Sequence, residues 1–97
     1  MKISYIMTIG SIIYLEGRGY IISGNVDFGN KGEALYIGEK ESQIVVKSHD
    51  FYNFCIKDVR LSTSITGDFS LGILVYDSEN IHRIKVGDKV YAIIEDK

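Results

Sequence analysis

The chain of 97 residues contains no proline and no tryptophan. Without proline, its tight turns must rely on glycine, which reaches positive φ at no steric cost, with Asn and Asp as supporting residues. The chain also lacks an apolar run as long as a membrane-spanning helix needs, about 20 residues. The longest apolar stretch lies near the N-terminus and is shorter than this. We therefore expect no spanning helix and no membrane partner.

Cysteine is scarce as well, because Cys55 is the only one, so an intrachain disulfide is impossible. This scarcity favours a reducing compartment, and we predict a cytoplasmic protein. Cys55 stands between Phe54 and Ile56 in an apolar run, which predicts a small buried or half-buried core residue. The nearest histidine in the sequence is His49, so a catalytic Cys–His pair has no local support.

Net charge is also low. The 11 Lys and Arg residues are opposed by 13 Asp and Glu residues, which gives a formal net charge of −2. Such a chain lacks the strong positive field of a general nucleic-acid binder, so binding to phosphate backbones is not favoured. A hydrophobic content of 45% with 25% charged residues is typical of a folded globular domain rather than a disordered chain. At this length we expect a single domain over residues 1–97.

The N-terminal apolar run, residues 3–15, resembles the hydrophobic region of a signal peptide. However, no small-x-small cleavage pattern follows it, because Glu16 and Gly17 come next. Its many β-branched residues favour strands over a helix. The run therefore predicts a pair of strands that contribute to a core.

Short β-rich runs separated by polar or glycine-containing turns are abundant. They recur about every eight to fifteen residues, and no segment of useful length has the helical period. The predicted strands are residues 20–26, 34–37, 44–46, 51–61, 71–76 and 89–94. One helical turn is predicted at residues 78–81, where Ser78 can serve as the N-cap.

This pattern indicates an all-β barrel or sandwich. We predict a small closed antiparallel β-barrel of six to seven strands with at most one helical turn. Closure is favoured because it removes the exposed sheet edges that a chain without proline cannot otherwise protect by that residue.

Several glycine turns follow one another at spacings that match a known domain. A Gly17-Arg18-Gly19 turn leads into a β-rich run that contains Gly24. Corners at Gly67-Asp68 and Gly87-Asp88 each open a later apolar strand. In this order the turns resemble the second domain of translational GTPases such as elongation factor Tu, which implies a small closed β-barrel over roughly residues 10–94. The fold-defining turn residues are then Gly17, Gly19, Gly24, Gly67, Asp68, Gly87 and Asp88.

The residues behind the best-known activities of these GTPases are missing here. No glycine-rich phosphate loop with Lys-Ser or Lys-Thr occurs, so we expect no GTP binding. The resemblance also implies a pocket for the aminoacylated 3′ end of tRNA, which relatives line with charged side chains. The matching positions here are Gly10, Ser11, Cys55 and Asp58. These do not supply the required groups, and Asp58 would repel a phosphate.

Three residues are candidates for a binding surface, namely Arg18, His49 and Tyr52. Arg18 stands between two glycines, where a backbone can approach a ligand closely and a guanidinium can bind a carboxylate or phosphate bidentately. The alternative is that this turn serves fold geometry alone. Tyr52 and Phe54 should share one face of a strand. An exposed tyrosine face suits base stacking or protein packing, whereas the alternative is that most tyrosines fill the core and rim.

No catalytic, metal-binding or cofactor-binding arrangement is legible, since His49 and His82 are far apart in the sequence and no nucleophile is paired with a base. We therefore predict a non-catalytic binding module without a cofactor, acting as a protein–protein adaptor or regulator. Two alternatives stay open: an RNA-associated factor in translation or ribosome maturation, and a structural or oligomeric subunit. A protein partner is expected, RNA is not favoured by the net charge, and the oligomeric state is left open.

Overall fold

Seven strands and one short 3₁₀ helix make up the part of the chain that the computed structural model describes, residues 2–26, 43–63 and 69–94. The strands are β1 (Lys2–Thr8), β2 (Ser11–Leu15), β3 (Gly19–Val26), β4 (Gln43–Lys47), β5 (Phe51–Thr63), β6 (Phe69–Val75) and β7 (Lys89–Ile94). The N-terminal apolar run is thus a pair of strands, as its β-branched residues predict. The predicted strand at residues 34–37 and the corner formed by Gly67 and Asp68 lie outside the described residues.

The strands form one sheet that closes into a ring. Its order is β1-β7-β4-β5-β6-β3-β2, and β1 also pairs with β3 where Met7 lies opposite Val26. Six strands therefore complete the ring, and β2 adds to the edge of β3. Each pairing between the described strands is antiparallel. This confirms the predicted all-β, antiparallel barrel and its number of strands.

β1 and β2 occupy the same edge of β3 because the chain bends between them. At the bend, the Gly10 N–H donates to the Ser23 carbonyl oxygen over 2.7 Å. Gly24 lies so close to β1 that a Cβ atom on it would overlap the Thr8 carbonyl oxygen. A side chain at this position would force β1 away from β3, so glycine here permits the ring to close.

β5 is long enough to belong to both halves of the barrel. Its first five residues pair with β4, and residues 56–63 pair with β6. The register shifts between Ile56 and Asp58, which is a β-bulge of the kind that bends a strand and increases its twist. The bulge allows one continuous strand to follow the curvature of the barrel.

The core lies inside the ring and consists mainly of aliphatic side chains. Along most of each strand every second residue faces it, as the two-residue period of a strand requires. The alternation shifts at the irregularities in β1 and β5, so Ile6 and Met7 of β1 both lie in the core. The largest fully buried side chains are Phe54, Ile6, Met7, Ile9, Ile22, Ile44, Leu71, Ile73, Val46, Val75 and Val90. Tyr52 packs against this cluster from a partly buried position, so Tyr52 and Phe54 do share one face of β5.

The interpretation of Cys55 as a core residue is wrong. Its side chain is exposed, although Phe54 and Ile56 on either side of it are buried. The reason is the alternation of side chains along a strand. When two residues that flank a position face inward, the residue between them must face outward.

The predicted helical turn is present as the 3₁₀ helix at Glu79–Arg83, and Ser78 caps it as expected. The Ser78 hydroxyl accepts a hydrogen bond from the Asn80 N–H over 3.2 Å. Ile81, on the helix, is buried and belongs to the barrel core. No helix among the described residues is long and apolar enough to cross a bilayer.

The Gly87-Asp88 corner fastens the start of β7 to the bend between β1 and β2. Gly87 has a positive φ of 99°, and its N–H donates to the Ile9 carbonyl oxygen over 2.9 Å. Asp88 is buried, and its Oδ2 accepts the Lys85 N–H over 2.9 Å. The carboxylate thus satisfies a backbone donor that a turn would otherwise leave without a partner.

Candidate binding surfaces

One outer side of the barrel is rich in aromatic side chains. On β1, β7 and β4, the register places Tyr5 opposite Tyr91 and Tyr91 opposite Val45. In the adjacent row, Lys89 lies opposite Lys47, and Lys47 lies opposite Phe51 at the start of β5. We call this set of outward residues the aromatic face: Tyr5, Val45, Lys47, Phe51, Lys89 and Tyr91.

The rings of the aromatic face pack edge to face across the strands. The ring centroids of Tyr5 and Tyr91 are 6.0 Å apart, and those of Phe51 and Tyr91 are 6.4 Å apart. Val45 is buried although it does not belong to the barrel core, whereas Phe51 is 50% exposed and Ile3, at the edge of the face, is 43% exposed. The aromatic face is therefore an apolar cluster outside the barrel that remains open to solvent.

Two ammonium groups lie over these rings. Lys47 Nζ is 5.0 Å from the Phe51 ring centroid, and Lys89 Nζ is 5.9 Å from the Tyr5 ring centroid. No acidic side chain occupies an outward position of the face in the described parts of β1, β7, β4 and the first half of β5. Two acids adjoin the face in the sequence: Asp50 in the β4–β5 turn, whose Oδ1 accepts the Phe51 N–H over 2.9 Å, and the buried Asp88 before Lys89, whose Oδ2 accepts the Lys85 N–H. The face is thus both aromatic and positively charged.

A second feature of the outer surface is a hollow between the β2–β3 hairpin and β5, with a volume of about 290 Å³. Its lining combines aliphatic side chains with two guanidinium groups and one carboxylate. We call it the arginine groove, and its lining residues are Leu15, Arg18, Ile21, Asp58, Arg60, Gly72 and Leu74.

The structure does not bring the three candidate binding residues together. Arg18 lies in the β2–β3 turn and borders the arginine groove, where its carbonyl oxygen accepts Lys57 Nζ over 3.2 Å. His49 is exposed in the β4–β5 turn, next to the aromatic face. That turn is about 20 Å from Lys57 along β5, given the rise of a strand. Tyr52 faces the core rather than the outer surface.

The aromatic face itself was not among the sequence-based candidates. Its signal was present in β7, where Lys89, Tyr91 and Ile93 alternate with buried residues. What the sequence did not show is that β1, from the opposite end of the chain, lies beside β7 and adds Tyr5 to the same surface.

Within the described residues, no group of three or more His, Cys, Asp or Glu side chains is placed to hold a metal ion. No protein-family model, curated protein or solved structure matches the chain. The likeness to the second domain of translational GTPases therefore rests on the glycine turns alone. It remains a prediction that no comparison tests.

Proposed function

We propose that the chain is a non-catalytic binding module that docks a protein partner on the aromatic face, as an adaptor or regulator. The observation that carries this proposal is the open cluster of Tyr5, Phe51 and Tyr91, with Phe51 half exposed. Monomeric proteins rarely expose large contiguous apolar patches, and the largest patch on a monomer is often a binding site. Aromatic side chains also dominate the energetics of protein interfaces.

The charge of the face indicates the partner's chemistry. Lys47 and Lys89 rim the apolar cluster, and no acid stands on its outward strand positions among the described residues. Complementary charge raises the association rate and excludes unsuitable partners. We therefore propose a partner surface that has apolar side chains at its centre and Asp or Glu at its edge.

The resemblance to the translational GTPase second domain supports a docking role by analogy only, because that barrel works by packing against other domains and by presenting a surface to RNA or protein. We also propose a cytoplasmic location, which the single cysteine supports. No GTP and no membrane partner are part of the proposal.

The test uses a photocrosslinking amino acid at position 51 of the full chain expressed in its own cells. The matched control carries the same group at Tyr76. That residue is 53% exposed, and Lys57 Nζ lies 5.4 Å from its ring centroid, so both sites pair a half-exposed ring with a lysine. We expect a protease-sensitive adduct with one other protein from position 51 and not from position 76.

The adduct supports the proposal only if the purified partner also binds the chain through the aromatic face. In binding assays, Phe51→Ser should weaken the interaction about tenfold or more, and Lys47→Glu should slow association at low salt. Charge reversal at Arg83, on the 3₁₀ helix, serves as the control and should change neither. A nuclease-sensitive adduct would favour the RNA-associated alternative, and an adduct of twice the chain mass would favour the oligomeric subunit. Either of those two results, or equal labelling from both positions, would overturn the proposal.

A further inference from the structure

The arginine groove lies on a different part of the outer surface from the aromatic face. The register places Ile21 of β3 opposite Leu74 of β6, and Leu74 opposite Asp58 of β5. In the next row, Gly72 lies between Ser23 and Arg60. The first row therefore has two aliphatic side chains and ends in the carboxylate of Asp58. The second row has only small residues before it ends in the guanidinium of Arg60.

The floor of the groove is apolar. Leu74 is only 7% exposed although it lies outside the barrel core, and Leu15 and Ile21 beside it are partly buried. Gly72 contributes no side chain to the floor. A Cβ atom there would meet only the Ile21 side chain at 3.8 Å and the Arg60 carbonyl oxygen at 4.0 Å, so the space above Gly72 belongs to the groove.

The charges around this floor are unequal. Arg60 Nε is 3.5 Å from Asp58 Oδ2, so one guanidinium is partly compensated. The Arg18 guanidinium forms no hydrogen bond or ion pair with any described residue, while its backbone is held by Lys57 through the carbonyl oxygen. Among the described residues, Arg18 thus brings an uncompensated positive charge to the edge of an apolar hollow, on a turn that β5 contacts through Lys57.

We propose that the arginine groove binds a carboxylate attached to an apolar group. Arg18 pairs with the carboxylate, a geometry that a guanidinium provides bidentately, and the apolar group lies on Leu74 and its aliphatic neighbours. A singly charged anion matches one uncompensated cation better than a doubly charged phosphate does, because Asp58 repels the second charge. This site does not depend on the aromatic face or on the function proposed for it.

The size of the groove fits a small group. Its volume of about 290 Å³ is near the lower end of the range for ligand pockets, roughly 300–1,000 Å³. Arg60 and Gly72 also border an adjoining hollow of about 380 Å³ lined by serine hydroxyls and glycine backbone. An extended chain that ends in the arginine groove can continue over this polar hollow. The C-terminal residue of a peptide therefore fits the two hollows together better than a free acid, which fills only the first.

The binding test uses the full chain labelled with ¹⁵N and four probes: the peptide acetyl-Ala-Ala-Leu with a free C-terminus, the same peptide with a C-terminal amide, octanoate, and inorganic phosphate. Amide resonances of Ile21 and Leu74 report on the groove. We expect both carboxylates to shift them saturably and the amidated peptide not to do so. If the free peptide binds more tightly than octanoate, the natural source is a protein C-terminus, and the reverse order identifies a small apolar acid.

Two pairs of variants locate the site. Gly72→Val adds a side chain to the groove, where its Cβ atom meets no neighbour closer than 3.8 Å, and should reduce affinity about tenfold or more. Ser70→Val places a valine on the same face of β6, two positions away and outside the arginine groove. It should have little effect on octanoate binding. Arg18→Gln should lose about tenfold in affinity for the carboxylates, whereas Arg83→Gln, an equal charge change on the 3₁₀ helix, should not.

Any one of the following results would overturn the proposal. They are equal binding of the acid and the amide peptide, binding of phosphate with preference over both carboxylates, and carboxylate binding that Gly72→Val leaves unchanged while its thermal unfolding remains that of the parent chain. Absence of any shift with either carboxylate at about 10 mM, where even weak specific ligands bind, would do so as well.

Discussion

At the scale of single residues, glycine decides where the backbone can go. Gly19 has a φ of 125°, and a Cβ atom on it would overlap the Val75 carbonyl oxygen. Gly17, two residues earlier in the same turn, has a φ of 76° and no neighbouring atom within 4 Å of a Cβ position. Gly19 is thus required by both its backbone conformation and its contact with β6, whereas Gly17 is required by its conformation alone.

This difference predicts unequal costs for the same substitution. Gly17→Ala should lower the free energy of unfolding by about 1 kcal/mol, the cost of a left-handed conformation for alanine. Gly19→Ala should lower it by about 3 kcal/mol or more, because overlap with β6 adds to the backbone strain. Urea unfolding at equilibrium measures both values. Gly17→Asn is the control and should be nearly neutral, since Asn tolerates this region. Equal losses from the two alanine variants would contradict the explanation.

At the scale of elements, the strands differ in how many neighbours hold them. β6 pairs with β3 on one side and β5 on the other, whereas β2 pairs only with β3 among the described strands. A strand with two hydrogen-bonded neighbours opens only when the sheet opens, while a strand with one can separate locally.

Hydrogen exchange should therefore rank these two strands. We expect the backbone amides of β6 residues whose side chains are buried, such as Ile73 and Val75, to exchange only through global unfolding. Amides of β2 should exchange at least about a hundredfold faster, because their opening breaks fewer contacts. Exchange of backbone amides followed by NMR measures this ranking. Protection of β2 equal to that of β6 would show that a further segment covers its second edge.

At the scale of the whole molecule, ring closure joins the ends of the described chain into one core. β1 pairs with β7 and also meets β3, so residues from both ends and the middle surround the same aliphatic cluster. Loss of one strand exposes a side of that cluster to water, which couples all strands through the hydrophobic free energy.

We expect unfolding in a single cooperative transition. Far-UV circular dichroism and tyrosine fluorescence should give the same urea midpoint, as small single domains usually do. Ile73→Ala, at a fully buried position, should cost about 2–5 kcal/mol and shift both signals together. Ile13→Ala, at a position that is 50% exposed, is the matched control and should cost at most about 0.5 kcal/mol. Separate midpoints for the two signals would show that the halves of the barrel unfold independently.

Much of the fold was predictable because its signals are local. The alternation around Phe54, the β-branched N-terminal run and the capping serine at position 78 each act within a few residues. The same two-residue period also explains the exposure of Cys55, which its apolar neighbours Phe54 and Ile56 did not indicate.

The binding surfaces were less predictable because they depend on contacts between distant parts of the chain. The sequence identified Arg18 as a residue able to hold an anion, but not the aliphatic floor that β6 supplies beneath it. It suggested a tyrosine-lined face but selected Tyr52, which packs on the core. Side-chain alternation distinguishes two faces of a strand, yet which face is inside depends on how the sheet closes.

By itself, the sequence determined the strands, the glycine turns and the all-β class, because backbone sterics and side-chain alternation act over a few residues. Only the tertiary structure decided that Tyr5 joins Tyr91 in one surface and that Arg18 stands beside Leu74. Those neighbours are set by sheet register and ring closure. Both arise from burial of one shared core, which depends on all the strands at once.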